Sequence, residues 1–349
     1  MGLWERNSKK GLSKGAMKAQ LRFFFPCGLI LLTIVLEGWA SISLGITQTV
    51  RAFPDFVAVV IKEGDTFSSL SKKYLNDPSR DWSIAEWNEP GPLRPGQTVI
   101  IPLKPQQRGG LTLRGYQTVP VLAYHNISSG KSDKTTVRPE MFEQQMSFLK
   151  EKGYRVIAMD QFFDFLDFKI SIPQKSVVIT IDDGWLSAYE IAFPILKKYG
   201  YPATLFIYTD LIGKGTRTVS WNQLQEMTAH RIDVGGHSMS HRNLTLPGKK
   251  ESFKDYFDNI EKELSGSREI MRKKLNLEVK YLAYPYGDTS PLVVQMAKKL
   301  GYRGALTIKR GGNPFYIHNY RVNRSVIYGD FTWSHFEKSL AVFKEQSLK

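Results

Sequence analysis

From Val119 onward the sequence alternates between short apolar, β-branched runs and segments whose apolar residues recur at helical spacing. VPVLAYH leads into MFEQQMSFLKEKG, YRVIAM into DQFFDFL, and SVVITIDDG into LSAYEIAFPILKKYG. ATLFIYTD precedes SWNQLQEMTAH, IDVGGHSMSH precedes a long helical stretch from about Glu251 to Leu275, and YLAYPYG precedes PLVVQMAKKLG. RGALTI and YRVNRSVI close the series. Such β-then-α units predict an α/β fold on a parallel sheet, either a barrel or a wound sheet. No self-similar period of about 20–50 residues is present, which excludes a solenoid.

Within these units the polar residues fall in one place. His125 closes one strand-like run, Asp182-Asp183 another, His237 with His241 a third, and Pro285-Tyr286 a fourth. A β/α barrel delivers the C-terminal ends of its strands to one face, so these clusters are expected to meet in space. His237 and His241 are four residues apart and can converge on one ion if the chain turns after the strand. Two imidazoles, one carboxylate and an open position make a hydrolytic metal site. Side chains of adjacent residues in extended chain diverge. One of Asp182 and Asp183 can therefore hold the ion while the other stays free as a base for water.

At these residues the chain resembles the polysaccharide deacetylases, the NodB-homology domain of carbohydrate esterase family 4, over about 119–345. That family's T-F-D-D-G motif stands as Thr180-Ile181-Asp182-Asp183-Gly184, and its H-[ST]-x-x-H motif as His237-Ser238-Met239-Ser240-His241. The resemblance implies a distorted (β/α)7 barrel that hydrolyses an N-acetyl group from a sugar. It also implies Asp182 as general base and Asp183, His237 and His241 as ligands of a divalent metal, Zn2+. The third motif, R-x-P-Y, reads Ala283-Tyr284-Pro285-Tyr286, so Pro285 and Tyr286 are kept and the arginine is not. The Tyr286 backbone N–H is then the expected oxyanion donor, and Arg324 is a candidate replacement for the arginine that orients the base. VLAYH resembles the permuted branch acting on poly-N-acetylglucosamine, which assigns the general acid to His125, with His318 as competitor. Trp185 and Trp221 are candidate sugar-stacking surfaces, with a core or rim role as the alternative.

Residues 57–103 form a separate short pattern: an alternating strand, Gly64-Asp65 with Thr66 placed to cap a helix, a second helical pattern over Ser83 to Trp87, the turn-rich NEPGPLRPG, and a closing TVIIP. This βααβ order resembles a lysin motif (LysM) module, here bounded as 56–104. The resemblance implies binding to glycans containing N-acetylglucosamine through loops near Gly64 to Phe67 and Glu89 to Leu93, with Gly64, Asp65, Thr66 and Leu93 as candidate contacts. The basic, glycine-bearing 105–118 reads as a flexible linker.

Residues 1–22 carry six basic residues and one acid, and Phe23–Leu36 is an uncharged run of fourteen. That is short for a bilayer span of about 20 residues and suits a secretory signal. A longer reading, over 1–50, makes it a retained membrane anchor. Either way the remainder is expected outside the cytoplasm, at the cell envelope. The formal charge of +15 fits an anionic envelope. No basic–aromatic RNA motif or zinc-finger spacing is present, so nucleic acid is not an expected partner. The single cysteine, Cys27, excludes an intrachain disulfide. Two other functions remain open from the residues: an O-acetyl polysaccharide esterase, and a glycan-binding envelope protein with an inactive barrel.

Overall fold

A computed structural model describes residues 50–346 apart from 89–90, 105–107 and 131–133. The N-terminal signal or anchor segment lies outside the described residues. Among those described, no helix is long and apolar enough to cross a membrane.

The small module begins with strands β1 (Val50–Ala52) and β2 (Phe56–Val60), continues through helices α1 (Phe67–Leu75) and α2 (Asp81–Trp87), and ends on β3 (Thr98–Pro102). Thr66 does cap α1: its side chain accepts from the Ser69 N–H at 3.0 Å, and the Ser69 hydroxyl accepts from the Thr66 N–H in return. Ile84, Leu70, Val99 and Ile101 make a small core between helices and sheet. The sheet has three strands, because β1 adds antiparallel to β2 ahead of the expected βααβ order.

The segment expected as a linker is partly structured. β4 (Leu111–Thr112) and β5 (Gly115–Val119) pair with each other. β5 also pairs with β13 (Asn313–Pro314) and β15 (Phe343–Glu345). All five residues of β5 are buried, so this stretch belongs to the large domain.

That domain follows the expected alternation. Its elements are β6 (Val121–Tyr124), α3 (Pro139–Glu151), β7 (Arg155–Val156), α4 (Met159–Leu166), β8 (Ser176–Asp183), α5 (Phe193–Tyr199), β9 (Ala203–Ile207), α6 (Trp221–Thr228), β10 (Ile232–Gly236), α7 (Phe253–Leu275), β11 (Tyr281–Ala283), α8 (Pro291–Lys299), β12 (Gly304–Leu306) and β14 (Ser325–Val326). Seven parallel strands run in the order β12-β11-β10-β9-β8-β6-β14, and β7 adds beside β8. A parallel bridge between Leu306 and Val322 brings the chain entering β14 back to β12, so the distorted barrel closes on itself.

Side-chain alternation along β8 divides the core. Val177, Ile179 and Ile181 pack outward with residues from the surrounding helices. Val178 faces the interior cluster, which also takes Phe162, Phe163 and Phe165 from α4. Thr180 and Asp182 continue that inward row.

Candidate active site

The four polar clusters follow β6, β8, β10 and β11, each at the strand's C-terminal end. Asp182 is 1% exposed, and its Oδ1 accepts from Arg324 Nη1 at 2.7 Å. Arg324 is itself fully buried, donates through Nε to the Thr307 carbonyl at 2.9 Å, and lies with its guanidinium 5.5 Å from the Phe206 ring centroid. Burial opposes ionisation of Asp182. The Arg324 guanidinium outweighs it and holds the carboxyl below the usual carboxylate range. His125 Nε2 lies 4.0 Å from the other carboxylate oxygen, Oδ2.

Asp183 is the last residue of β8, and the chain turns there. Its φ is +79°, and Gly184 follows with φ +93°. That φ is one that L side chains rarely adopt, and a Cβ on Gly184 would also crowd Ile212 Cδ1 at 2.6 Å, so glycine is favoured at this turn. The turn swings Asp183 toward the histidines: Oδ1 is 3.8 Å from His237 Nε2 and 3.6 Å from His241 Nε2. The three donor atoms all lie within 4.8 Å of one another. The adjacent aspartates thus part, one to the guanidinium and one to the imidazoles.

The imidazoles are prepared for an ion. His237 Nδ1 lies 2.7 Å from the Ala283 carbonyl. That contact places the ring proton on Nδ1 and leaves Nε2 free to ligate. Burial pulls the His237 pKa down to about 4, keeping the ring neutral. His241 is lowered as well, again chiefly by burial. The site suits a divalent cation with a preference for nitrogen and carboxylate donors.

The loop between the histidines is held by Glu263 of α7. Its Oε2 accepts from the backbone N–H groups of Met239 and Ser240 at 2.8 and 2.9 Å, and its Oε1 from the Ser240 hydroxyl at 2.6 Å. Ser238 and His241 both have positive φ, so this loop carries strain that the carboxylate and the Ser238 hydroxyl oppose.

The remaining candidates have separate fates. Trp185 donates from Nε1 to Asp183 Oδ2 at 3.0 Å, which fixes the carboxylate rotamer. Tyr286 is exposed, with φ +61° and its ring 4.8 Å from that of His241. Pro285 is buried and offers no surface to a substrate. Trp221 opens α6 and packs against the outer core, the alternative its sequence allowed. His318 is exposed and accepts from the Tyr320 N–H at 3.1 Å, outside this cluster. In the small module, the Asp65 side chain closes a turn by accepting from the Lys62 N–H, and Leu93 packs on the module core. Residues 89 and 90 of the second expected glycan loop lie outside the described residues. Sequence reasoning missed Tyr208, whose ring is 5.0 Å from His241. The signal was present: within ATLFIYTD, Tyr208 follows the last apolar strand residue, Ile207, at another strand's C-terminal end.

Residues 169–305 match the family model for polysaccharide deacetylase, and residues 59–102 that for the LysM domain. The barrel is a polysaccharide deacetylase domain, and the small module is a LysM domain. A Bacillus subtilis (strain 168) relative named as a polysaccharide deacetylase is 29% identical over 212 residues, covering 59% of this chain and 71% of its own. The poly-β-1,6-N-acetyl-D-glucosamine N-deacetylase of Staphylococcus aureus (strain MRSA252) is 29% identical over 226 residues, covering 63% of this chain and 77% of its own. A Streptococcus pyogenes deacetylase solved in complex with acetate shares the fold of the deacetylase domain: TM-score 0.59 at 24% identity, over 65% of this chain and 99% of that one.

Proposed function

We propose that the protein removes N-acetyl groups from an N-acetylglucosamine-containing polysaccharide, either peptidoglycan or a poly-N-acetylglucosamine exopolysaccharide, at the cell envelope. The observation that carries this reading is the split of two adjacent carboxylates. Asp183 joins His237 and His241 within 4.8 Å, while Asp182 stays apart in the grip of Arg324. A divalent cation, Zn2+, held by those three residues supplies Lewis acidity toward the acetyl carbonyl and toward water.

The chain's own groups supply the rest. Asp182, ionised and oriented by Arg324, takes a proton from the attacking water. The water oxygen bonds to the acetyl carbon, and the Tyr286 backbone N–H donates to the oxygen that gains charge. His125 gives its proton to the nitrogen as the C–N bond breaks, so the products are acetate and a free amine. The Tyr286 and Tyr208 rings line the approach beside His241. The LysM domain holds the enzyme on the same class of glycan and raises the local substrate concentration.

The test is acetate release from N-acetylglucosamine oligomers by purified protein. The reading expects release that stops with chelator and in Asp182→Asn. No release from any acetylated glycan would make the barrel a binding domain, and a preference for acetylated xylan would make it an esterase.

A further inference from the structure

A groove of about 560 Å³ lies between the LysM domain and the barrel, well away from the Asp183–His237–His241 cluster. That volume lies within the range of about 300–1,000 Å³ typical of ligand sites. One wall is α2 of the LysM domain, with Trp82 and Trp87. The other wall is formed where the chain enters the barrel strands: Tyr154 before β7, Gln174 before β8, Tyr201 before β9 and Arg231 before β10. The groove therefore lies on the N-terminal face of the barrel, opposite Asp182 and His237.

It is also distinct from the expected LysM glycan loops. Gly96 N–H to Ile61 carbonyl and Ile61 N–H to Gln97 carbonyl, both 2.8 Å, put those loops at one end of the β2–β3 pair. Pro102 and Lys104, which line the groove, lie at the other end, where Phe56 pairs with Pro102. Two contacts fix the seam: Arg155 Nη2 to Asp81 Oδ2 at 3.2 Å, and the Gln174 N–H to Glu86 Oε1 at 2.9 Å.

The LysM core takes only Ile84 from α2, and neither the Trp82 nor the Trp87 indole joins any of the three hydrophobic clusters. Among the described residues, neither has a ring partner or a cation over its face, and Trp87 is 46% exposed. Arg80 and Arg231 also line the groove, and neither has a carboxylate partner among the described residues. Indole faces without a stacked ring or cation lie beside two guanidinium groups, of which Arg231 already donates from Nη1 to the Gly200 carbonyl at 2.9 Å; this suits a ligand with apolar C–H faces and a rim of hydroxyl and amide oxygens.

We propose that this groove binds an oligosaccharide segment, stacked on Trp82 and Trp87 and hydrogen-bonded by Arg80 and Arg231, as a glycan seat separate from both the deacetylase site and the LysM loops. A strand seated there runs beneath the barrel, so the strand being held differs from the strand being deacetylated. The choice of an N-acetylglucosamine ligand rests on the proposed function; the groove itself does not.

Hydrogen–deuterium exchange on the full chain carrying Asp182→Asn tests this, with the N-acetylglucosamine pentamer as probe. The pentamer is expected to slow exchange in 78–87, 154–157 and 199–201. The double variant Trp82→Ala/Trp87→Ala should abolish that protection and weaken pentamer binding by about tenfold. The same tryptophan pair changed in the otherwise wild-type chain should leave acetate release from a short oligomer unchanged. Arg231→Ala, on an exposed side chain, gives a second variant that should weaken binding without touching the packing of α2. Protection confined to 61–67 and 94–97 or to the barrel rim, or groove protection that survives the tryptophan substitutions, would overturn the proposal. Failure of the deacetylase reading would show separately, as absent acetate release by wild-type protein with groove protection intact.

Discussion

Arg324 and Asp182 stand 142 residues apart in the chain, and their side chains meet at 2.7 Å in the sealed barrel interior. Arg324 sits just before β14, one strand beyond β6, and reaches past Thr180 to the carboxylate. The deacetylase motif places an arginine at 283, where this chain has alanine, so the guanidinium arrives from a different strand. Arg324→Ala would strand a buried carboxylate, at a cost of about 3–5 kcal/mol. Acetate release should fall by about 10²- to 10⁴-fold as the base loses its orientation. Arg324→Lys keeps the charge without the planar fork and should fall between the two. Thermal unfolding and steady-state kinetics check both, and full activity in Arg324→Ala would remove Arg324 from the mechanism.

The division of the two aspartates predicts a dissociation of metal binding from turnover. Calorimetric titration of Asp182→Asn with Zn2+ should show one ion per chain, while acetate release is lost. Asp183→Asn, His237→Ala and His241→Ala should each weaken the ion's binding directly. If Asp182→Asn lost the ion and Asp183→Asn kept it, the two roles would have to be exchanged.

Trp185 holds Asp183, and Glu263 holds the loop between His237 and His241, beside the proposed ion. Trp185→Phe removes the N–H on Asp183 Oδ2, and Glu263→Gln weakens the anchor of the 238–241 loop. Losing such supporting contacts commonly costs about 10- to 100-fold in metal affinity. Zn2+ titration of each variant, with circular dichroism to confirm the fold, measures the effect. Affinities equal to wild type would reduce both contacts to packing.

The fold and the Asp183–His237–His241 cluster were legible because each is written locally. Strand ends, the Asp182-Asp183-Gly184 turn and the four-residue spacing of His237 and His241 are short-range signals that survive without tertiary context. Arg324 was only a suggestion in sequence, since its partner is decided by barrel closure. Glu263 looks like any solvent-facing acid on a long amphipathic helix. Trp185 and Trp221 carried the same ambiguous signal and separated only in three dimensions, one onto Asp183 and one onto the outer core. The short β4–β5 pair hid in a basic, glycine-bearing stretch because strands this brief have little periodicity to read.

Glu251, immediately before the Ser252 cap of α7, closes the loop that follows His241. It accepts from both Arg242 Nη atoms at 3.0 and 2.8 Å and from Asn259 at 2.6 Å. The Arg242 pairing, with the Gly248 N–H, holds its pKa down at about 2 against an ordinary 4.5. The folded value lies below the unfolded one, so its stabilisation is complete above pH about 4.5 and is lost as pH falls toward about 2. Acid unfolding followed by circular dichroism should show a steeper loss across that window in wild type than in Glu251→Gln. Parallel curves would mean the pair contributes nothing to the pH dependence.

The role of His125 can be isolated by changing the leaving group. An amide nitrogen must gain a proton before it departs, whereas a nitrophenolate leaves without one. His125 Nε2 lies 4.0 Å from Asp182 Oδ2, on the side of the carboxylate away from Arg324, where it can reach that nitrogen without competing for the base. His125→Ala should therefore cut kcat/KM on an N-acetylglucosamine oligomer by about 10²- to 10⁴-fold. On 4-nitrophenyl acetate the same variant should stay close to wild type. A role in holding the fold or the ion would depress both substrates alike, so equal losses would count against His125 as the acid and direct attention to water.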